Sequence, residues 1–327
     1  RSRMALYEKL WLGFFLRLTG TRSILNFRGA FDELYLRCSS FEKKLIRFLL
    51  RRQTAVLCQH NGIKSFLLHE GILPEKKIDV IPNAVEPVHE EMIPVRNSGK
   101  KKMICLSWIV SSKGLDVLID ATAEIAPTLR SGNVALEIYG PEEEPGLKAA
   151  LQRRINKLGV QDVISLNDPV TGITKNNLMR ESLAFLFPSR KEGFPNALLE
   201  AMAAGLPVVA ANGAPMNEIV RDNVSGLLFE KDNKSHLAAQ ILKSSLSRGE
   251  GTQRPPPRPS DPPHCGSCSV CASGADTIRI RLRLSSGTPA GLQGTGSEAK
   301  SSPGGRAVSI SRRQPPGVGG RAKYIAL

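Results

Sequence analysis

Two glutamates, Glu192 and Glu200, stand eight residues apart in the stretch FPSRKEGFPNALLEAMAAGLPVVAANGAPMNEIVRDNVSG, residues 187–226. Glu192 follows a short apolar run that favours a buried parallel strand, and ligands of open α/β sheets bind at the carboxyl ends of such strands. Glu200 lies about one and a half turns into the next helix, so both carboxylates can reach one ligand. Carboxylates are good acceptors for pairs of sugar hydroxyls. The pair therefore suits a ligand that carries sugar hydroxyls, although an isolated pair at this spacing would more often belong to a surface helix.

The segment between the two glutamates offers a place for a phosphate. Pro195 suits the first position of a helix, NALLEAMAA consists of strong helix formers, and Gly205 is a natural C-terminal stop. Free backbone N–H groups from Gly193 onward, with the helix dipole behind them, favour an anion. The alternative is a surface helix whose glutamates are a dipole-stabilising residue and a solvated one. The surrounding sequence PSRKEGFPNALLEAMAAGLPVVA makes that the less favoured interpretation.

This stretch resembles the donor-site signature of retaining GT-B glycosyltransferases, the family 4 or group 1 type that uses nucleotide-sugars. The resemblance covers roughly residues 24–246. It implies that Glu192 contacts the hydroxyls of the donor sugar and that Glu200 holds the ribose hydroxyls. It also implies that four consecutive residues approach the sugar and diphosphate: Gly193, Phe194, Pro195 and Asn196.

A second junction of strand and helix carries Lys113 and Gly114, just before a helix that starts at Leu115. A lysine beside a helix N-terminus suits a diphosphate, although the spacing alone fits a surface lysine equally well. The family pattern is Gly-Arg-Leu followed by Lys-Gly, with both cations on the donor diphosphate. Lys113 matches the lysine, but Trp108 stands where the arginine is expected. Because tryptophan lacks the bidentate guanidinium fork, either stabilisation of the leaving group is weakened or the site tolerates this change.

Alternating strand and helix patterns predict an α/β fold with parallel, doubly wound sheets. The resemblance implies the GT-B type, with two Rossmann-like domains. We expect a partial, acceptor-side N-terminal domain over residues 1–83, a C-terminal nucleotide-sugar-binding domain over 84–247, and a low-complexity basic tail over 248–327. A complete first domain would need about 150 residues. The chain is therefore expected to be a fragment whose first domain is truncated.

Two helices are predicted near the N-terminus. Residues 5–18 have apolar side chains at helical spacing, which favours a core-facing helix and leaves interfacial membrane contact as the alternative. Residues 41–52, FEKKLIRFLLRR, predict an amphipathic helix with Phe41, Leu45, Phe48 and Leu49 on one face. Its basic residues fit a solvated face better than an anionic membrane or polyanion.

Three other residues near the N-terminus have polar chemistry of their own. Arg28 precedes Gly29 where related sequences often have His-Gly, and it fits a phosphate contact or solvent equally well. His60 and His69 are predicted to be packing or surface residues rather than ligands.

The net charge of the chain is +15, and the tail contributes more than its share. Residues 248–327 contain 12 Lys and Arg against 4 Asp and Glu. The positive balance of the remainder suits a diphosphate ligand or an anionic membrane surface, and the aromatic content of 5% argues against base-stacking platforms. No stretch reaches the ~20 apolar residues of a membrane span. Isolated cysteines in apolar contexts, at 38, 58 and 105, fit a reducing compartment and buried thiols. We expect a cytoplasmic protein, with contact at a membrane periphery left open.

The tail after residue 247 is rich in Pro, Gly, Ser and Arg and has little hydrophobic periodicity, which predicts disorder or an artefactual end. His264 and Cys265, Cys268 and Cys271 have metal-ligand chemistry but no folded context, so disordered thiols are favoured over zinc. The arginines could bind nucleic acid nonspecifically; nothing predicts a specific nucleic-acid partner.

The resemblance implies a hexosyl- or related glycosyltransferase that moves a sugar from a UDP- or GDP-sugar to a glycan, lipid or small-molecule acceptor with retention. Lys113 and Glu192 are the predicted catalytic residues; Glu200, Gly114, Trp108 and residues 193–196 are the predicted donor-binding residues. The resemblance implies no cofactor and no metal. The alternative function is an inactive nucleotide-binding remnant or scaffold, because of the truncation and of Trp108.

Overall fold

The structure, a computed structural model, describes residues 3–27, 29, 31–85, 101–246 and 324–326. These residues form two parallel β-sheets with helices between their strands. The strands are β1 (Arg22–Phe27), β2 (Ala55–Cys58), β3 (Ile78–Val80), β4 (Lys101–Leu106), β5 (Val134–Tyr139), β6 (Ile164–Asn167), β7 (Ala184–Phe187), β8 (Val208–Asn212), β9 (Leu227–Glu230) and β10 (Tyr324–Ala326). The helices are α1 (Arg3–Leu18), α2 (Phe31–Leu36), α3 (Ser40–Arg52), α4 (Asn61–His69), α5 (Leu115–Glu124), α6 (Ala126–Ser131), α7 (Leu147–Leu158), α8 (Gly172–Glu181), α9 (Asn196–Ala203), α10 (Met216–Ile219) and α11 (Lys234–Leu246).

The larger sheet has the strand order β6-β5-β4-β7-β8-β9, and every pair in it is parallel. The chain builds outward from β4 through β5 to β6, then returns to the other side of β4 and continues from β7 to β9. The reversal between β4 and β7 is the switch point of a doubly wound sheet, where a crevice opens at the carboxyl ends of the strands. The predicted parallel α/β architecture is thus confirmed for this sheet.

The centre of the larger sheet is buried on both faces, which explains its uninterrupted apolar strands. All four residues of β7 are buried, as are the last four of β4. Parallel strands covered by helices on both faces read as continuous hydrophobic runs rather than alternating ones. These central strands therefore give the loops at their carboxyl ends a rigid base.

The smaller sheet has the order β10-β1-β2-β3. Strands β1, β2 and β3 follow one another along the chain: α2 and α3 connect β1 to β2, and α4 connects β2 to β3. The Ser39 hydroxyl accepts a hydrogen bond from the backbone N–H of Glu42, whose carboxylate accepts one from the backbone N–H of Ser39. This capping box fixes the start of α3. Helices α2 and α6 were not anticipated, because each is only six residues long and shows little periodicity.

The predicted apolar face of α3 is wrong for its two phenylalanines. The side chains of Ile46, Leu49 and Leu50 are fully buried, whereas Phe41 is 75% and Phe48 is 46% exposed. Residues three and four positions apart share a helix face, and the triad at 46, 49 and 50 is the one that meets the core. Phe48 instead packs beside α1, with its ring centroid 6.1 Å from that of Phe14.

Helix α1 faces the core along a narrower stripe than its apolar sequence suggests. Leu10 and Gly13 are its buried residues, while large apolar side chains elsewhere on it are exposed: Met4, Trp11, Leu12, Phe15 and Leu18. The core-facing prediction thus holds for one side of this helix. No helix among the described residues has both the length and the apolar character needed to cross a bilayer.

Three residues beyond the Pro-, Gly- and Arg-rich part of the tail form a strand. Strand β10, Tyr324–Ala326, pairs in parallel with β1 in the register Arg22 to Tyr324. Backbone N–H and C=O groups at the side of β1 are unpaired without such a neighbour, and an extended segment can satisfy them. The predicted disorder of the rest of the tail, and its His264 and cysteine cluster, lie outside the described residues.

We expect Leu49→Ala to lower the free energy of unfolding by about 2–5 kcal/mol, because it leaves a cavity in a filled core. Phe41→Ala should change it by about 0.5 kcal/mol or less, because that ring is mostly in solvent. Urea unfolding of the two variants measures both values. Equal losses of unfolding free energy in the two variants would mean that Phe41 is buried like Leu49.

Candidate functional site

The carboxyl ends of β4 and β7 bring two of the predicted site residues together. Lys113, from the loop after β4, places its Nζ 2.6 Å from Oε1 of Glu192, from the loop after β7. The two side chains are 19% and 10% exposed. Charges with this little solvent are retained when each has a partner within hydrogen-bond distance. The pair thus joins the two sides of the switch-point crevice.

Gly114 fixes the position of the loop that carries Lys113. Its φ is +66°, and a Cβ atom at this position would lie 2.3 Å from the carbonyl oxygen of Pro188. A residue with a side chain would therefore clash with the backbone that follows β7, besides being strained at this φ. The absence of a side chain allows the loop after β4 to lie directly against the loop after β7.

Arg190 braces the same two loops, and it was not singled out by sequence reasoning. Its guanidinium donates two hydrogen bonds of 2.8 Å to the carboxylate of Asp116 and one of 2.7 Å to the carbonyl of Ser111, and it also contacts Asp232. Burial acts to raise the pKa of Asp116, but the hydrogen bonds and charge of Arg190 outweigh it and lower that pKa. Arg190 thus ties the loop of Lys113 to the segment that carries Glu192.

Glu200 has a lysine partner that sequence reading missed. Its Oε2 accepts a hydrogen bond of 2.8 Å from Nζ of Lys175, on α8. Both side chains are partly exposed, at 32% and 26%, so they remain open to a ligand. Lys175 stands 25 residues earlier in the chain, and no local spacing relates the two. Each signature glutamate therefore has its own ammonium group.

The residues after Glu192 lead into α9 one position later than predicted. Pro195 is the residue before the helix, with φ −84° and ψ 90°, and Asn196 is the first helical residue. An extended residue before the first turn leaves the N-terminal amides of α9 pointing out of the helix. Phe194 packs partly buried against the core, while Asn196 is exposed.

Gly193 brings the signature loop against the smaller sheet. A Cβ atom on Gly193 would lie 2.5 Å from the Cα atom of Gly29, which follows β1. Beside this contact, Lys191 forms an ion pair with Glu33 of α2. The loops at the carboxyl ends of the two sheets thus meet at these glycines. Arg28 itself lies outside the described residues.

Trp108 stands in the loop after β4, as predicted, and its side chain is prominent there. The residue is 53% exposed, although it directly follows a buried strand and Ser107. An exposed indole at the end of a central strand offers a flat apolar surface and one N–H donor. It gives the crevice no positive charge at this position.

Glu218, on α10, was not singled out from the sequence, yet it links the two sheets. Its carboxylate accepts hydrogen bonds from the backbone N–H groups of Asn61 and Gly62, at 2.8 and 2.9 Å, and from the side-chain amide of Asn61 at 3.0 Å. Nδ1 of His60 lies 3.5 Å away. His60 is buried and His69 exposed, which fits the packing and surface roles predicted for them.

The environment of Glu218 changes its acidity. Burial acts to raise its pKa, but the approach of His60 and the backbone hydrogen bonds of Asn61 and Gly62 outweigh this effect. The net result lowers the pKa of Glu218 from 4.5 to about 2. The group is thus held as a carboxylate throughout the neutral range.

The three cysteines of the described residues are free and buried, as predicted. Burial raises the pKa of both Cys58 and Cys105 to about 12, so neither is a reactive thiolate near neutral pH. Within the described ranges, no group of three or more His, Cys, Asp or Glu side chains is placed to hold a metal ion.

Residues 100–245 match the family described as Glycosyl transferases group 1. The matched segment contains Lys113, Glu192 and Glu200. Similar curated proteins include the D-inositol 3-phosphate glycosyltransferases of Actinosynnema mirum, 36% identical over 144 residues, and of Streptomyces griseus, 34% identical over 228 residues. These alignments cover 42% and 65% of this chain, and 34% and 46% of those proteins. The chain therefore spans less than half the length of these relatives.

Solved structures share the fold at low sequence identity. Anabaena Alr3699/HepE in complex with UDP has a TM-score of 0.64 at 18% identity, covering 74% of this chain and 67% of that one. S. aureus TarM has a TM-score of 0.57 at 19% identity, covering 69% and 44%. This likeness to glycosyltransferase structures confirms the predicted GT-B type of fold.

We expect the stabilisation contributed by Glu218 to depend on pH in one direction. Its folded-state pKa lies below the value of 4.5 for a free glutamate, so the contribution is complete above about pH 4.5 and declines as the pH falls toward 2. The difference in free energy of unfolding between the parent protein and Glu218→Gln should be about 3 kcal/mol at pH 7 and about half that at pH 3. Urea unfolding at both pH values measures it, with the exposed Glu181→Gln as control. A difference that does not change with pH would contradict this account.

Proposed function

We propose that the protein is a retaining glycosyltransferase of family 4 type that transfers a hexosyl or related group from a nucleotide-sugar to an acceptor. The observation that carries this proposal is the partly buried pair of Lys113 and Glu192 at the switch point, beside the N-terminus of α9, which has no side-chain cap. A crevice at this edge of a doubly wound sheet is where nucleotide ligands bind. The match of residues 100–245 to group 1 glycosyltransferases supports the same assignment.

The proposed chemistry relies on positive groups around the donor diphosphate. As the bond from the anomeric carbon to the diphosphate oxygen breaks, negative charge grows on the leaving diphosphate. Lys113 and the N-terminal amides of α9 are placed to stabilise that charge, which is the usual largest contribution of such sites. Glu192 orients the sugar and Glu200 binds the ribose hydroxyls. Gly114, Trp108 and residues 193–196 line the donor.

Binding of the donor requires Lys113 to turn from Glu192 toward phosphate. The ammonium of Lys113 and the carboxylate of Glu192 satisfy one another at 2.6 Å. A diphosphate supplies a new acceptor for the lysine, and the sugar hydroxyls supply new donors for the glutamate. Both charges thereby keep partners in the complex. The chemistry as proposed uses no metal or cofactor.

The donor and acceptor classes follow from the relatives. HepE structures were obtained with UDP and with UDP-glucose, and we propose a UDP-sugar as donor in preference to a GDP-sugar. The acceptor would be a glycan, a lipid or a small molecule. The alignments cover less than half the length of these two curated relatives. The transferase activity is therefore proposed for the whole protein that contains this sequence.

The alternative function, an inactive nucleotide-binding remnant, rests on one residue, whereas the family match and the curated relatives support a transferase. Trp108 places an exposed indole where the family pattern has arginine, and Arg190 cannot replace that cation because Asp116 and Asp232 already engage its guanidinium. Such a protein would bind a nucleoside diphosphate without turning over its sugar. Binding and turnover therefore have to be measured separately.

We expect UDP to raise the melting temperature of the protein more than GDP or ADP does. Lys113→Met and Glu200→Ala should each weaken UDP binding about tenfold or more, since each removes a charge-assisted hydrogen bond to the nucleotide. Titration by thermal shift and calorimetry measures this, with Glu181→Gln as a variant that should bind normally. Release of UDP from UDP-glucose then tests turnover.

The result separates the two functions. Binding with turnover supports the transferase, and binding without turnover supports the remnant. No binding of any of the three nucleotides to the folded parent protein would overturn both.

We also propose that the protein is cytoplasmic and touches a membrane surface through α1 and α3. The rings of Trp11, Phe14, Phe15 and Phe48 lie within 5.7–6.1 Å of one another in successive pairs, and Trp11 and Phe15 are exposed. Basic side chains of α3 line an open groove of about 370 Å³ beside Phe48. Exposed aromatic rings next to cations suit the interface of an anionic bilayer.

We expect sedimentation with phosphatidylserine vesicles, and much weaker sedimentation with phosphatidylcholine vesicles. Phe15→Ser and Arg52→Gln should each reduce binding several-fold, because one ring enters the interface and each basic residue contributes about 1 kcal/mol near an anionic surface. Val224→Ser, which changes an exposed apolar residue of the other sheet's domain, is the matched control. Equal binding by all variants would remove the membrane proposal.

A further inference from the structure

We propose that Glu218 is a positioning residue that clamps the N-terminal domain over the donor crevice by closing the N-terminus of α4. This inference rests on the proposed function for its role in transfer, but the contact itself is independent of it. Glu218 lies on α10, directly after the loop that follows β8, whereas α4 follows β2 of the smaller sheet. One carboxylate thus connects the carboxyl ends of two strands that belong to different sheets.

The clamp fills a need that α4 cannot meet from its own sequence. His60 is the residue before the helix, and its side chain makes no capping hydrogen bond. The first N–H groups of any α-helix have no partner within the helix and require acceptors from elsewhere. Both oxygens of Glu218 serve here, one for Asn61 and one for Gly62. A carboxylate at this position also complements the positive end of the helix dipole.

The packing around this contact leaves little freedom for other arrangements. A Cβ atom on Gly62 would lie 2.8 Å from Nδ1 of His60 and 3.3 Å from Cβ of Ala214, in the loop before α10. The α4 N-terminus therefore lies directly on the loop after β8. His60 is buried at the same contact, with its ring 3.5 Å from the carboxylate.

A second polar link, on the other side of the signature loop, supports the same geometry. The side-chain amide of Gln59 donates to Oδ1 of Asn83 at 2.6 Å, and the amide of Asn83 donates to Oδ1 of Asn196 at 2.6 Å. Asn196 is the first residue of α9, the helix that carries Glu200. The contact of Gly29 with Gly193 is a third place where the two sheets' loops meet. The clamp and these links together set the width of the crevice at Glu192.

On this proposal, nucleotide binding depends on the larger sheet and its loops, whereas transfer also depends on the loops of the smaller sheet. The predicted nucleotide ligands, Lys113 and Glu200, both belong to the larger sheet's domain, so loss of the clamp should leave nucleotide affinity nearly intact. Transfer also needs the loops of the smaller sheet beside the sugar, and displacement of such groups by about 1 Å can cost a hundredfold in rate. Glu218 should therefore affect turnover much more than nucleotide binding.

The test compares Glu218→Gln, Glu218→Asp and the control Glu181→Gln in the full chain. Hydrogen exchange followed by mass spectrometry reports on the amides of Asn61 and Gly62. Calorimetry with UDP reports on nucleotide binding. Hydrolysis of UDP-glucose, measured as release of UDP, reports on turnover with water as the acceptor.

For Glu218→Gln we expect exchange in the peptide that spans Asn61 and Gly62 to become at least tenfold faster, while the core peptides, which exchange only on global unfolding, stay protected over the labelling time. UDP affinity should stay within about twofold, while kcat falls about tenfold. Glu218→Asp keeps the charge but shortens the side chain, so its exchange rate and kcat should lie between those of the parent and those of Glu218→Gln. Glu181→Gln should match the parent in all three measurements.

Two results would overturn the proposal: unchanged exchange at Asn61 and Gly62 in Glu218→Gln, or a loss of UDP affinity as large as the loss of kcat. Faster exchange throughout the protein in Glu218→Gln would mean general destabilisation. The milder Glu218→Asp is then the variant in which exchange at Asn61 and Gly62 and the loss of kcat are judged. If the parent itself does not hydrolyse UDP-glucose, the transferase proposal fails, whereas the exchange measurement still tests the clamp.

Discussion

The ion pair between Lys113 and Glu192 is the interaction on which the arrangement of the crevice depends. Both groups lose most of their hydration, so each is stable there only while the other stays within hydrogen-bond distance. That requirement fixes the loop after β4 relative to the loop after β7. Gly114 permits the close approach and Arg190 braces it from the side. The central strands supply the rigid base, and the ion pair holds the two side chains in defined positions on it.

The N-termini of α9 and α4, both at this edge of the molecule, are used in different ways. The first turn of α9 begins at Asn196 after an extended proline, and the loop before it carries Glu192. The first turn of α4 is occupied by Glu218, which follows β8 of the larger sheet. The same physical property, unpaired N–H groups at the positive end of a helix dipole, thus serves a proposed ligand at one helix and a contact between the two sheets at the other.

Sequence reasoning reached the elements and the local motifs but not the partners that come from distant elements. Strand and helix periodicity predicted the larger sheet almost element by element, and the segment around the two glutamates predicted a ligand site at the end of β7. Lys175, Arg190 and Glu218 went unnoticed because each acquires its meaning from a residue 25 to 157 positions away. Periodicity also misplaced the buried face of α3, because Phe48 fits an apolar face in sequence yet packs on a neighbouring helix.

The pairing of charges in the crevice has a consequence for the speed of association. The chain carries a net charge of +15, yet Lys113, Lys175 and Arg190 each face a carboxylate within 2.8 Å. The dianionic donor proposed above would therefore meet three paired cations rather than three lone ones. Long-range attraction, which accelerates encounter in strongly charged clefts and fades with ionic strength, would gain little from these three groups. On that proposal, the time that the lysines need to change partners becomes part of the binding rate.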